Sequence, residues 1–354
     1  MTFGGLTAHG LGLRNGFAVL VTALVLLAKA GPGAGELTRY EFSEPHMGTL
    51  VRIVLYAPGA PAAEGAARAA FSRIAALDEA LSDYRDSSEL MRVSRHSGEG
   101  PVAVSDDLFR VLQAAQHIAH ESDGAFDVTV GPLSLLWRQA RRQGQLPDAG
   151  RLATARGVVG RDKLEIDEQR RTVRLLKPGM QLDLGGIAKG FAADEAAVTL
   201  RALGIRSALV AAGGDIVATE APPGRPGWRV AVAAIEGNDP AGFVTLRHAA
   251  ISTSGDAEQF VVAGGVRYSH IFDPRTGQAL TGRRSVSIIV SNGASNGTTS
   301  DGLATAVSVM GVVAGMRLVE ATNGAAAFVA EMGPGGLQTY ESTRWRASTG
   351  FGGQ

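Results

Sequence analysis

The apolar stretch Leu50 to Tyr56 (LVRIVLY), with Arg52 as its one charge, is read as an alternating strand. Between Ala62 and Tyr84 the rhythm changes: Ala70, Ile74, Leu77 and Leu81 fall on one side of a helix. A second helix is predicted from Asp106 to Glu121 with Ser105 as its cap, and a third over Pro132 to Gln143. Leu164 to Leu176 reads as a hairpin. A short apolar strand, Met180 to Leu184, then runs into Gly185 and Gly186, and a helix follows over Ile187 to Leu203. Strands are expected at Ser207–Ala211, Trp228–Ala233, Phe243–Ile251, Glu258–Val262 and Val286–Val290. The Asn/Gly/Ser-rich stretch Ser291 to Ser300 reads as a mobile loop. It leads into a helix starting at Asp301, with another near Ala314 to Ala321 and a last strand at Ala325 to Ala330.

Consecutive strands in the middle with helices on both flanks predict an α+β fold, not strict βαβ alternation. The expectation is a single compact two-lobed unit with a mainly antiparallel central sheet flanked by helices. No internal repeat and no linker divides it. The length of 354 residues, 45% of them apolar, permits a substantial core. The 34 basic and 34 acidic side chains cancel, which argues against a nucleic-acid partner. There are no cysteines, so disulfides, thiolate chemistry, thiolate metal sites and a lipid-modified N-terminal Cys are excluded.

The first 30 residues read as an export signal. Arg14 precedes an apolar run from Phe17 to Ala28, and Ala28-Lys29-Ala30 fits a small-x-small cleavage pattern. The run is short for a membrane span, which needs roughly 20 residues. The remainder, residues 31–354, is then one domain working outside the cytoplasm, in the periplasm, with an uncleaved N-terminal anchor as the competing expectation. Absence of cysteine suits an oxidising compartment.

Four polar clusters carry candidate chemistry. In Asp183-Leu184-Gly185-Gly186-Ile187-Ala188-Lys189-Gly190, a glycine turn opens a helix whose first turn holds a lysine. Free backbone N–H groups and the helix dipole there suit a phosphate, although a plain βα turn with a solvated lysine has the same look. In Thr298-Thr299-Ser300-Asp301-Gly302-Leu303-Ala304-Thr305, Asp301 and Thr305 share one helical face. A carboxylate and a hydroxyl are part of a hard-oxygen set for Mg²⁺; a helix-capping acid is the plainer reading. His270 stands just ahead of the turn Asp273-Pro274-Arg275-Thr276-Gly277, either as a proton acceptor or as a structural histidine. Ser252-Thr253-Ser254-Gly255-Asp256 and Gly213-Gly214-Asp215 are strand-end loops suited to close approach of a ligand or to ordinary turns.

In this order, and together with His46-Met47-Gly48-Thr49, Ser82-Asp83-Tyr84-Arg85-Asp86 and Gly124-Ala125-Phe126-Asp127-Val128-Thr129, these clusters resemble the FAD:protein FMN transferase family, the ApbE-type flavin transferases. The resemblance runs from about His46 to Gly311. It implies Mg²⁺-dependent transfer of FMN from FAD to a threonine or serine hydroxyl of a target envelope flavoprotein, with release of AMP. Carried onto this chain, Met47, Tyr84, Ala125, Phe126, Asp127, Asp183, Lys189 and Phe272 fall where the family contacts FAD. Gly186, through its carbonyl, with Asp301 and Thr305 falls at the metal positions, and His270 on a candidate for activating the acceptor hydroxyl. The residues leave open whether His270 or Asp301 is the base.

Two departures stand out. Ala211 replaces an Asn common in the family, which predicts a lost polar contact near the ligand. Ala304 stands where some relatives carry an acid, which predicts weaker Mg²⁺ binding. The same residues also fit an FAD pyrophosphatase, or a non-catalytic periplasmic FAD-binding or maturation protein near the membrane. The partners implied are FAD and a redox protein carrying an acceptor threonine. The sequence does not name that protein or give the oligomeric state.

Overall fold

The computed structural model describes residues 37–235, 239–255, 259–291, 293–333 and 335–349. The predicted export signal, Asp256 and Glu258 lie outside the described residues.

The chain opens with a hairpin of β1 (Thr38–His46) and β2 (Thr49–Ala57), followed by α1 (Ala60–Leu81) and α2 (Glu89–Arg95). After β3 (Val102–Ala103) come α3 (Asp106–Glu121), α4 (Gly131–Gln143) and α5 (Ala149–Val158), then β4 (Leu164–Asp167) and β5 (Thr172–Leu175). Helix α6 (Ala188–Ala202) precedes β6 (Ala208–Ala212), β7 (Asp215–Ala218), β8 (Trp228–Val232), β9 (Gly242–Leu246) and β10 (Ala249–Gly255). A small antiparallel sheet of β11 (Phe260–Ala263), β12 (Val266–Phe272) and β13 (Ala279–Thr281) follows. The chain returns through β14 (Arg284–Ser291), α7 (Asn296–Ala321), β15 (Ala325–Gly333), β16 (Gly336–Glu341) and α8 (Thr343–Thr349).

Eight strands form the main sheet in the order β1-β2-β6-β7-β10-β14-β15-β16, every neighbouring pair antiparallel. Its two faces are both covered, and the strand residues sort accordingly. Val51, Ile53, Leu55, Val286, Ile288 and Val290 face the larger core, which they share with α1, α3, α6 and α7. Val54, Ile289, Ala326 and Phe328 face a second core closed by the β8–β9 hairpin and Trp345 of α8. Burial on both sides explains why these strands read as near-continuous apolar runs. Smaller clusters join α4 to α5 and to the small sheet, where Trp137 of α4 stacks on Tyr268 and donates its indole N–H to the Gly277 carbonyl at 2.9 Å. The α+β, mainly antiparallel expectation holds.

Several element expectations need correction. Met180–Leu184 is not a strand: only an isolated bridge links Gln181 to Val130, and Asp183 is pinned by its N–H to the Val128 carbonyl at 2.8 Å. The helix expected to reach Tyr84 stops at Leu81, because Ser82 takes extended backbone angles. Phe243–Ile251 is two strands, split where His248 adopts φ 48°. The two expected C-terminal helices are one, α7, with a break at Gly311 (φ 76°, ψ 176°). It begins at Asn296, inside the stretch expected to be a loop. The reason is a cap from far along the chain: the buried carboxylate of Asp194 in α6 accepts from the N–H groups of Gly297 (2.9 Å) and Thr298 (2.8 Å) and from the Thr298 hydroxyl.

Candidate active site

The site begins where α6 and α7 cross. Gly190 and Gly297 meet backbone to backbone: a Cβ on Gly190 would lie 2.1 Å from the Gly297 carbonyl oxygen, and one on Gly297 2.7 Å from that of Gly190. Only residues without a side chain permit this approach. It brings the Asp301 carboxylate to the first turn of α6, where Oδ2 accepts the Gly190 N–H at 3.0 Å. The first N–H groups of a helix have no partner inside it, so Asp301 supplies one. Each helix thus caps the other, Asp194 for α7 and Asp301 for α6.

Four residues after Asp301, Thr305 reaches the glycine turn. A Cβ on Gly186 would sit 2.9 Å from Thr305 Oγ1 and 3.3 Å from the Phe126 ring, so these three residues are in contact. Lys189 extends between two carboxylates, with Nζ 3.1 Å from Asp215 Oδ2 and 3.8 Å from Asp301 Oδ2, and donates to the Gly185 carbonyl at 3.3 Å. Lys189 is therefore ion-paired within the site, with its side chain still 29% exposed. Asp215 reaches it because Gly213, with φ 65°, and Gly214 turn β6 tightly into β7. Burial, and next the Asp215 charge, push the Asp301 carboxyl up to about 7 against the opposing pull of Lys189 and the Gly190 N–H. Burial lowers the Lys189 ammonium, but Asp301 and Asp215 outweigh it and hold the group above the ordinary lysine value. The result is a buried cluster of oxygen donors, the Asp301 and Asp215 carboxylates about the Lys189 ammonium with the Thr305 hydroxyl nearby, and oxygen is the donor type that hard divalent cations take.

On the other side of the turn, Asp183 Oδ1 accepts the Gly185 N–H at 2.8 Å and fixes the glycine loop. Its Oδ2 takes Arg138 Nη2 at 2.8 Å, while Nη1 of the same guanidinium binds Asp83. That guanidinium also lies 4.3 Å from the centre of the Tyr84 ring, which is 76% exposed. Arg138 and Asp83 were not singled out from the sequence. An arginine among Arg138, Arg141 and Arg142 gives no local sign of where it points, because both of its partners come from other segments.

The remaining expected residues take varied positions. Ala125 and Phe126 are buried in the loop before α4, with Phe126 against Gly186. Asp127 turns inward: its Oδ1 accepts both the N–H (2.8 Å) and the hydroxyl (2.7 Å) of Thr129, so it braces its own loop. Met47 forms the β1–β2 turn with φ 50°, its N–H donating to Asp78 at 3.2 Å. Phe272 packs into the small clusters beside α4. His270 lies on β12, in the small sheet, and its Nδ1 is 3.1 Å from the Gln259 carbonyl. A carbonyl only accepts, so Nδ1 carries the proton, and in the neutral ring Nε2 is left as the acceptor.

The two departures lie on different sides of the sheet. Ala211 packs into the second core, with Val54 and Trp228, on the sheet face opposite α6 and α7. No polar contact to a ligand beside those helices is lost through it. Ala304 is fully enclosed in the main core.

A glycine turn opening a helix, buried carboxylate and hydroxyl oxygens beside it, and an exposed ring tied to the same turn through Arg138 are the parts that a site for a phosphate-bearing ligand with flat rings needs. The model of the ApbE family matches residues 47–329. The FAD:protein FMN transferase of Treponema pallidum is 36% identical over 312 residues, which cover 83% of this chain and 84% of that protein. The enzyme of the same name from Vibrio cholerae is 32% identical over 87% of this chain and 91% of its own. Among solved structures, the flavin transferase ApbE from Vibrio cholerae aligns with a TM-score of 0.79 at 31% identity, covering 88% of this chain and 100% of that one. The ApbE protein of Thermotoga maritima aligns with the same TM-score at 30% identity. The chain belongs to the ApbE family and is a transferase enzyme.

Proposed function

We propose that this enzyme moves FMN from FAD onto a threonine or serine hydroxyl of a target protein, with Mg²⁺ held by the Gly186 carbonyl, Asp301 and Thr305. The observation that carries the reading is the contact of Gly186 with Thr305, one helical turn from the buried Asp301 carboxylate. When bound, Mg²⁺ neutralises charge on the pyrophosphate oxygens.

The chain's own groups do the rest. The glycine turn braced by Asp183 presents its backbone to the phosphates at the positive end of the α6 dipole, while the N–H groups of Ile187, Ala188 and Gly190 are already held by Leu184 and Asp301. Lys189, held by Asp215, adds fixed positive charge beside them. Tyr84 offers a face for ring stacking. His270 Nε2 takes the proton of the acceptor hydroxyl as its oxygen bonds to the FMN phosphorus; the bond to the bridging oxygen breaks and AMP leaves with it. Asp301, committed to the Gly190 N–H and the cation, is the weaker candidate for the base.

The acceptor is a redox protein of the cell envelope, and the enzyme works in the periplasm, peripheral to or near the membrane. The apolar run from Phe17 to Ala28 followed by Ala28-Lys29-Ala30 supports export. Incubating the full chain with FAD, Mg²⁺ and candidate acceptors tests the activity. The expected product is an acceptor whose mass rises by one FMN on a threonine or serine. Rapid FMN release that is indifferent to the acceptor would replace the reading with a pyrophosphatase, and FAD binding without turnover would replace it with a binding protein.

A further inference from the structure

We infer that Arg138 is a positioning residue for the flavin substrate: it ties the Tyr84 loop to the Asp183 turn, so that the Tyr84 ring stands ready as a platform for one of the flat rings of FAD. The inference rests on the reading above that the chain takes FAD.

Asp83 and Asp183 come from unconnected segments, one just after α1 and the other just before α6. Both carboxylates are about nine-tenths buried, at 10% and 9% side-chain exposure, and the guanidinium that joins them is 15% exposed. Two carboxylates brought together away from water repel each other unless a cation lies between them. Burial, and next the charge of Asp183, push Asp83 up to about 6 even with Arg138 in place. The guanidinium is thus what allows these two segments to stay in register.

The same guanidinium supports one side of an otherwise open ring. Tyr84 follows the end of α1 in a bend after Ser82 and is the most exposed large aromatic side chain among the described residues. Without the contact at 4.3 Å the ring would sample many orientations in water. With it, the orientation is set before the ligand arrives, which lowers the ordering cost of binding. The Asp183 end of the clamp also reaches the phosphate cradle, because the same carboxylate holds the Gly185 N–H. Arg138 therefore fixes the distance between a ring platform and a phosphate cradle. A lysine would keep the charge but lose the planar fork that spans both acids.

FAD affinity of the full chain, measured by flavin fluorescence without metal, is compared for Arg138→Met, Arg138→Lys, Tyr84→Ala and the Arg138→Met/Tyr84→Ala double variant. Melting curves report folding. Arg138→Met should weaken FAD about tenfold and Arg138→Lys about threefold, with KM for FAD rising and kcat for transfer nearly constant. Tyr84→Ala should cost about as much as Arg138→Met, and the double variant no more than about twofold beyond either, because both act through one platform. If Arg138→Met binds FAD within about twofold of the parent while Tyr84→Ala is weakened, the inference is wrong; it is also wrong if the two losses add in full. Should Arg138→Met fail to fold, Arg138→Lys decides alone, and unchanged FAD affinity there overturns the inference. A parent chain that binds no FAD removes the functional reading itself, and the inference with it.

Discussion

The two halves of the proposed site are built differently. The half proposed to hold the cation stands on paired helices: Gly190 against Gly297, Asp301 on one helix end, Asp194 on the other, and Thr305 against Gly186. The ring half stands on loops: Met47 in a hairpin turn, Phe126 before α4, and Tyr84 after α1, tied down by Arg138. The contrast follows the demands of the chemistry. Charge stabilisation of a reacting phosphate needs donors fixed in advance, and close-packed helices fix them. Ring recognition tolerates lateral adjustment, and a loop with a single clamp provides it.

The contrast is sharpest in the expected consequences of substitution. Asp301→Asn should reduce transfer of FMN to an acceptor by about a thousandfold, while FAD binding measured without metal changes little. Chelation of divalent cations should have the same result in the parent enzyme. A comparable loss of FAD affinity would mean that the two halves are not separable. His270→Gln should slow transfer by about a hundredfold with FAD affinity unchanged, the ordinary contribution of a general base. A variant that transfers at the parent rate would shift the proton to another acceptor.

Gly186→Ala tests the helix-built half with the least chemistry. The added methyl would meet Thr305 Oγ1 at 2.9 Å and displace it. Mg²⁺ or Mn²⁺ affinity, read by calorimetry or Mn²⁺ resonance, should fall by about tenfold, roughly the loss expected when a group that holds a ligand in place is disturbed. Undiminished metal affinity would remove Thr305 from the cation site.

The smallest effect is one of pH. Asp301 is held up at about 7, first by burial and then by Asp215. A carboxyl that binds its proton more tightly folded than unfolded favours folding at low pH. That benefit is complete below the unfolded value and is lost as pH rises through about 7. Metal-free Asp301→Asn, which is neutral throughout, should therefore melt a few degrees above the parent at pH 8 and by a smaller margin at pH 5, where the loss has only begun, with added Mg²⁺ reversing the order at pH 8. An equal difference at both pH values would show that Asp301 is not strained by its burial.

The sequence disclosed the cation half more fully than the ring half. Asp301 and Thr305 are four residues apart on one helix, and Gly186 and Lys189 share one glycine turn, so local spacing was enough to select them. The Ser105-capped helix and the Leu164–Leu176 hairpin were legible for the same reason. What local spacing cannot carry is a partner from another segment. The start of α7 was read as a loop because its cap, Asp194, sits on α6. Arg138 was missed because its partners Asp83 and Asp183 lie far away in sequence on either side. The inward hydrogen bonds of Asp127 to Thr129 are likewise illegible in the sequence, because they depend on the shape of the loop. Ala211 was read as a gap in the site because strand parity alone did not say which sheet face the site occupies.

The reciprocal capping of α6 and α7 has a consequence for how the enzyme opens. Asp301 holds Gly190, and Asp194 holds Gly297 and Thr298, so neither helix end can fray without releasing the other. The phosphate cradle and the cation ligands consequently melt as one cooperative unit, and the amide hydrogens of Gly190, Gly297 and Thr298 should exchange with solvent at a common rate. The crossed helices are thus the rigid frame of the site, and the Tyr84 loop is joined to that frame through Arg138 and Asp183.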